Sequence, residues 1–113
     1  MDLEPDSDPR PPLHSVYEND PDLRDLVVLF VDELDRRVDA IRHAWHAEDA
    51  AELRRISHQL KGAAGGYGFD PIGDAAARLE CELLHDEAEL SALSERVEDL
   101  ISCCRAAVPP SDS

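Results

Sequence analysis

Apolar side chains recur every three or four residues along most of this chain, and the recurrence breaks into four runs. After Pro21 the positions Leu23, Val27, Phe30, Leu34, Val38, Ile41 and Trp45 form one stripe, which predicts a long amphipathic helix reaching about Ala47. A second stripe of Leu53, Ile56, Leu60, Ala63 or Ala64 and Tyr67 is followed by Gly68, a residue suited to end a helix. The third stripe places Ile72, Ala75, Ala76, Leu79 and Leu83 inward, and the fourth Leu90, Leu93, Val97, Leu100 or Ile101 and Cys104. Nothing alternates with the period of two that a half-buried strand requires.

The punctuation between the runs agrees with this division. Asp20-Pro21 and Asp70-Pro71 each read as an N-cap followed by a first helical residue, where proline's missing amide costs nothing. Asp49 with Glu52, and Asp86 with Glu89, have the spacing of a capping box. Six of the eight prolines lie near the two ends among Asp, Ser and Arg. Residues 1–14 and 108–113 are therefore expected to be flexible tails flanking one folded unit at 15–107. Four amphipathic helices on short connections predict an all-α, antiparallel up-and-down four-helix bundle.

Composition narrows the range of functions. The chain has 113 residues, 42% hydrophobic but only 4% aromatic, so an aliphatic, alanine-rich helical core is expected in a single domain. A net charge of −15 argues against binding nucleic acid or an anionic membrane surface. No apolar run approaches the roughly 20 residues of a membrane span, and the N-terminus lacks a signal-peptide pattern. A soluble, cytoplasmic protein is expected, acting as a monomer; its initiator methionine and two tails favour a stand-alone chain. Cys81, Cys103 and Cys104 are odd in number and read as reduced thiols, small residues in and beside a helical core. A zinc site built from them and His85 lacks any closed four-ligand spacing.

Against this acidic background one stretch stands out, His58-Gln59-Leu60-Lys61-Gly62-Ala63-Ala64-Gly65-Gly66-Tyr67-Gly68. It holds four of the five glycines, and the window 53–69 contains no acid while Arg54, Arg55 and Lys61 give it a charge of +3. On a helical wheel His58 falls opposite the apolar stripe, with Gly62 and Gly65 on the same outer face and Lys61 beside it. Glycine in a helix costs about 0.5–1 kcal/mol relative to alanine. Such a face is better explained by close approach of a partner to the imidazole than by folding. Neither the P-loop nor the dinucleotide-binding glycine spacing occurs. His14, His43, His46 and His85 have no comparable surroundings.

A hairpin turning near Gly68-Phe69 would bring residue 79 or 80 level with His58. Glu80 then lies within reach of the imidazole Nδ1–H, a contact that would fix the tautomer and leave Nε2 free. The alternative is an exposed glutamate beside Arg78.

The motif from His58 to Gly68, followed by Leu79-Glu80, resembles the histidine-containing phosphotransfer (HPt) domain of multistep phosphorelays. The resemblance implies that His58 is phosphorylated at Nε2. It further implies that Lys61 offsets the phosphoryl charge, Gly62 gives the partner access and Glu80 is a candidate to orient the ring. Arg54, Arg55, Gln59, Gly65 and Gly66 are the expected partner-binding positions. The partners implied are response-regulator receiver domains and a hybrid histidine kinase. No cofactor is expected on this chain, Mg²⁺ belonging to the receiver, and the protein would be a phosphocarrier without its own kinase or ATP site. The sequence departs from the family pattern at Ser57 and at Gly65-Gly66, a flexible pair expected to loosen the last turn of its helix. The alternative is a helical adaptor module on the same bundle that carries no phosphoryl group.

Overall fold

The computed structural model describes residues 11–84 and 93–110, within which lie four helices: α1 Arg24–His46, α2 Ala50–Gly66, α3 Asp70–Leu83 and α4 Ser94–Ala106. Each helix packs on its chain neighbours and α4 packs back on α1, closing a ring. This is the four-helix bundle that the stripes predict. The core is aliphatic as expected, with Leu34, Ile41, Leu53, Leu60, Ile72, Leu79 and Leu100 all buried. Each such side chain contributes about 1.5–3 kcal/mol through burial. Aromatic packing centres on Phe30, which stacks on Tyr67 at 5.0 Å and on Phe69 at 5.8 Å between ring centroids.

Helix boundaries shift from those expected, for reasons visible in the hydrogen bonds. Asp20 does organise the entry to α1, accepting from the Asp22 amide at 2.8 Å through Oδ1 and from the Arg24 amide at 2.9 Å through its carbonyl. The residues after Asp20 form a turn, and regular helix begins only at Arg24. At α3 the N-cap is Phe69, not Asp70, and Asp70-Pro71 are already helical. Asp49 caps α2 as expected, its side chain accepting from the Glu52 amide at 3.1 Å. On the stripe of α1, Ala44 takes the buried place expected for Trp45, which is only partly buried. Asp86, Glu89 and Leu90 lie outside the described residues, whereas Leu93, Val97, Leu100, Ile101 and Cys104 are buried as the fourth stripe requires.

The Gly65-Gly66 pair does not loosen α2, which stays helical through Gly66. It ends in a Schellman turn. The Gly68 amide donates to the Gly65 carbonyl and the Phe69 amide to the Ala64 carbonyl at 2.8 Å, with Gly68 at φ +85°. A second glycine, Gly73, faces α2 across the hairpin, where a Cβ would be in ordinary van der Waals contact with the Lys61 carbonyl oxygen at 3.4 Å.

The N-terminal segment is tied to this end of the bundle. Leu13 pairs with the end of α4, its amide donating to the Ala106 carbonyl at 2.8 Å and its carbonyl accepting from Val108 at 3.0 Å. Ser15 Oγ donates to the Tyr67 carbonyl at 2.6 Å, and the Val16 amide to the Gly68 carbonyl at 3.1 Å. The tail limits expected at residues 14 and 108 therefore move outward to include Leu13 and Val108 in the folded unit.

All three cysteines are free. Burial pushes the Cys104 thiol up to about 12, which makes it unreactive. Among the described residues no helix is long and apolar enough to cross a membrane.

Gly68 joins these features, because a Cβ there would meet Ser15 Oγ at 2.5 Å in a backbone region unfavourable to L-residues. Gly68→Ala is expected to destabilise the fold by at least about 1 kcal/mol. It should also speed hydrogen exchange at the Val16 amide, both readable by urea unfolding and exchange NMR.

Candidate functional site

His58 sits mid-way along α2. Leu53, Ile56, Ser57, Leu60 and Ala64 turn to the core, which leaves the intervening His58 and Gln59 on the outside. The imidazole is 67% exposed. Ser57 is buried and donates its hydroxyl to the Leu53 carbonyl at 2.8 Å, so it is satisfied within the helix. On α3, Leu79 is fully buried and the next residue, Glu80, lies at the edge that faces α2, with its side chain 15% exposed.

Across this seam the Glu80 carboxylate holds two partners at once. His58 Nδ1–H donates to Oε2 at 2.9 Å, and Lys61 Nζ donates to Oε1 at 2.9 Å. An ionised carboxylate can only accept, so the contact requires a proton on Nδ1, and in the neutral ring that leaves the Nε2 lone pair free. The Lys61 hydrogen bond first, and the His58 hydrogen bond after it, hold the Glu80 carboxyl below its ordinary value. The expected alternative for Glu80, an isolated exposed glutamate, is not what is found.

His58 and Glu80 border a cleft of about 430 Å³ that Arg54, Arg55, Gln59, Ala51 and Leu84 complete. The two arginines differ. Arg55 forks onto the Glu52 carboxylate, Nε donating to Oε1 at 2.9 Å and Nη2 to Oε2, and its charge is engaged there. Arg54 forms no ion pair among the described residues and lies one helical turn before His58 on the same face. Gly62, Gly65 and Gly66 do not line the cleft. They are exposed, and a Cβ at any of them would meet nothing within 4 Å.

Two features escaped sequence reading. The Lys61–Glu80 ion pair joins residues on different helices and has no periodic signature, although the hairpin register that finds Glu80 places Lys61 one turn along the same seam. Leu84, 57% exposed at the cleft edge, lies just past the end of α3 and outside the apolar stripe. Among the described residues no group of three His, Cys, Asp or Glu side chains could hold a metal ion, and His85 lies outside them.

Open space around Gly62 means that folding has no use for a glycine there. Gly62→Ala is expected to raise stability by about 0.5–1 kcal/mol in chemical denaturation. For Glu80, the lowered carboxyl sets the sign of the pH response. Its grip on Lys61 and His58 is complete at neutral pH and is lost as pH falls through the lowered value. Nitrogen NMR at neutral pH should find His58 mainly as the Nδ1–H tautomer in the native protein and shifted toward Nε2–H in Glu80→Ala. An identical tautomer ratio in both would show that the carboxylate does not orient the ring.

Comparison with known proteins bears on the same residues. Residues 25–108 match the family model described as the Hpt domain, a span that takes in the Schellman hairpin and the His58, Lys61 and Glu80 positions. Neither the curated proteins nor the solved structures compared with the chain gave a match. With four helices in a closed ring and a family match over most of its length, the chain belongs to the Hpt domain family, whose members carry phosphoryl groups in phosphorelays with receiver-domain partners.

Proposed function

We propose that His58 is the phosphoryl acceptor and donor of this protein, taking the group from a receiver-domain aspartate and passing it to another. The observation that carries the reading is the exposed imidazole whose Nδ1–H is engaged by Glu80 at 2.9 Å, with Nε2 directed away from that contact. In the forward step the Nε2 lone pair attacks phosphorus, an N–P bond forms and the P–O bond to the aspartate breaks. The Nδ1 proton stays in place, so the product ring is cationic, and Glu80 stabilises that positive charge as it develops.

A neutral imidazole attacks through its own ring-nitrogen lone pair and needs no dedicated base for this step. Lys61 has three N–H donors, so it can keep Glu80 and still offer a hydrogen to a phosphoryl oxygen. Arg54 supplies a second cation from the preceding turn, while Arg55 is committed to Glu52. The empty outer face at Gly62 admits the receiver's loops. Gln59 borders the same cleft, and Gly65 and Gly66 extend the cleared surface one turn further. The receiver brings the Mg²⁺ that such transfers use, the donor kinase upstream being a hybrid histidine kinase, and this chain functions in the cytoplasm as a monomeric carrier. An adaptor without phosphoryl chemistry would have no use for a carboxylate clamped between His58 and Lys61.

Incubation with a receiver domain charged by acetyl phosphate is expected to give an acid-labile, alkali-stable phosphoprotein, and His58→Gln should abolish the label. Persistent labelling of that variant would place the acceptor elsewhere. Transfer in Arg54→Ala is expected to be several-fold slower than in Arg55→Ala, the charge of Arg54 being free and that of Arg55 already paired. Equal rates in the two variants would remove Arg54 from the reading.

A further inference from the structure

The seam opposite His58 carries a second groove that phosphotransfer does not use. His58 lies at the junction of α2 and α3, whereas α1 and α4 meet on the far side of the ring. There the last residues of α1, Arg42 to His46, and the length of α4 line an open groove of about 630 Å³, larger than the His58 cleft. That size falls in the range of about 300–1,000 Å³ that accommodates small molecules.

Its chemistry is two-part. Trp45, Val97 and Ile101 supply the apolar lining; Val97 and Ile101 are core residues, and Trp45 packs partly buried against that core. Arg42, His46 and Arg105 stand around it, and Glu98 is the single acid among the lining side chains. Arg42 and Arg105 are exposed and form no ion pair among the described residues. Two uncommitted guanidinium groups over an apolar floor, on a chain of net charge −15, are a local reversal of the molecule's electrostatics. A neutral apolar ligand would gain nothing from these exposed cations, and a cationic one would be repelled. An acid group is the complement, and arginine is the side chain best shaped to hold one.

We propose that this groove binds a small organic anion with an apolar body. The acid group pairs with Arg42 and Arg105, and the body rests on Trp45, Val97 and Ile101. Because the groove and His58 occupy opposite seams, a ligand here leaves the phosphotransfer face open to a receiver. The inference does not depend on His58 being phosphorylated.

Trp45 is the only tryptophan of the chain, so its fluorescence reports on the groove directly. Titration of the full chain with 8-anilinonaphthalene-1-sulfonate should quench Trp45 in a saturable, one-site manner. Arg42→Ala/Arg105→Ala should weaken binding by about tenfold or more. Arg54→Ala/Arg55→Ala, which removes two charges from α2 and none from the groove lining, should change it by less than about twofold. N-phenyl-1-naphthylamine, the probe without its sulfonate, should bind the native protein at least about tenfold more weakly. Absence of saturation, equal weakening by the two double variants, or equal affinity for the two probes would overturn the proposal.

Discussion

The register of the α2–α3 hairpin is the constraint on which the site depends. The Schellman turn at Gly68 fixes where α2 stops, and the burial of Ile72, Ala75, Ala76 and Leu79 fixes which face α3 turns to the core. With both set, Glu80 falls level with His58 and Lys61, and one carboxylate can hold donors from two successive turns of α2. A slip of one residue on α3 would rotate Glu80 by about 100° and point it away from the seam. The N-terminal segment adds to the same end of the bundle, since Ser15 and Val16 bond directly to the residues of the turn. Packing far from the imidazole thus positions the carboxylate that its Nδ1 meets.

The electrostatics of the face are set by this geometry. An acidic chain repels phosphate over most of its surface, and the window around His58 is the stretch of α2 from which acids have been removed. Glu80 is the exception, and its charge is answered by Lys61 at 2.9 Å. In the proposed transfer, a phosphoryl group approaching Nε2 would meet a compensated carboxylate, a lysine with hydrogens to spare and Arg54 on the turn before. The glycines on the same face give up helix stability for room, an exchange that the fold itself does not require because their missing side chains would touch nothing.

Much of this was legible in the sequence, because the periodic pattern records burial directly. The four stripes, the Asp49 cap and the outward direction of His58 all come from the alternation of core and solvent positions. Glu80 could be found by counting back along a hairpin whose turn was marked by Gly68. Asp20-Pro21 misplaced the start of α1 because a capping aspartate organises a turn as readily as a helix, whereas Asp70-Pro71 marked the start of α3 to within one residue, Phe69 taking the N-cap position. Trp45 gave way to Ala44 because a small residue lets α1 pack closely while the indole lies along the groove edge. The Lys61–Glu80 pair and the Leu13–Ala107 bridge join distant segments, and no local pattern encodes them. The difference in availability between Arg54 and Arg55 depended on which of two adjacent side chains reached Glu52.

The central claim is that Glu80 holds the proton on Nδ1 of His58 so that Nε2 carries the phosphoryl group. The direct measurement is the one-bond coupling between phosphorus and imidazole nitrogen in the ¹⁵N-labelled protein after phosphorylation by a charged receiver domain. The account predicts that phosphorus couples to Nε2 of His58 while Nδ1 retains its proton and its bond to Glu80. A phosphoryl group coupled to Nδ1, or to a nitrogen of any other residue, would contradict it.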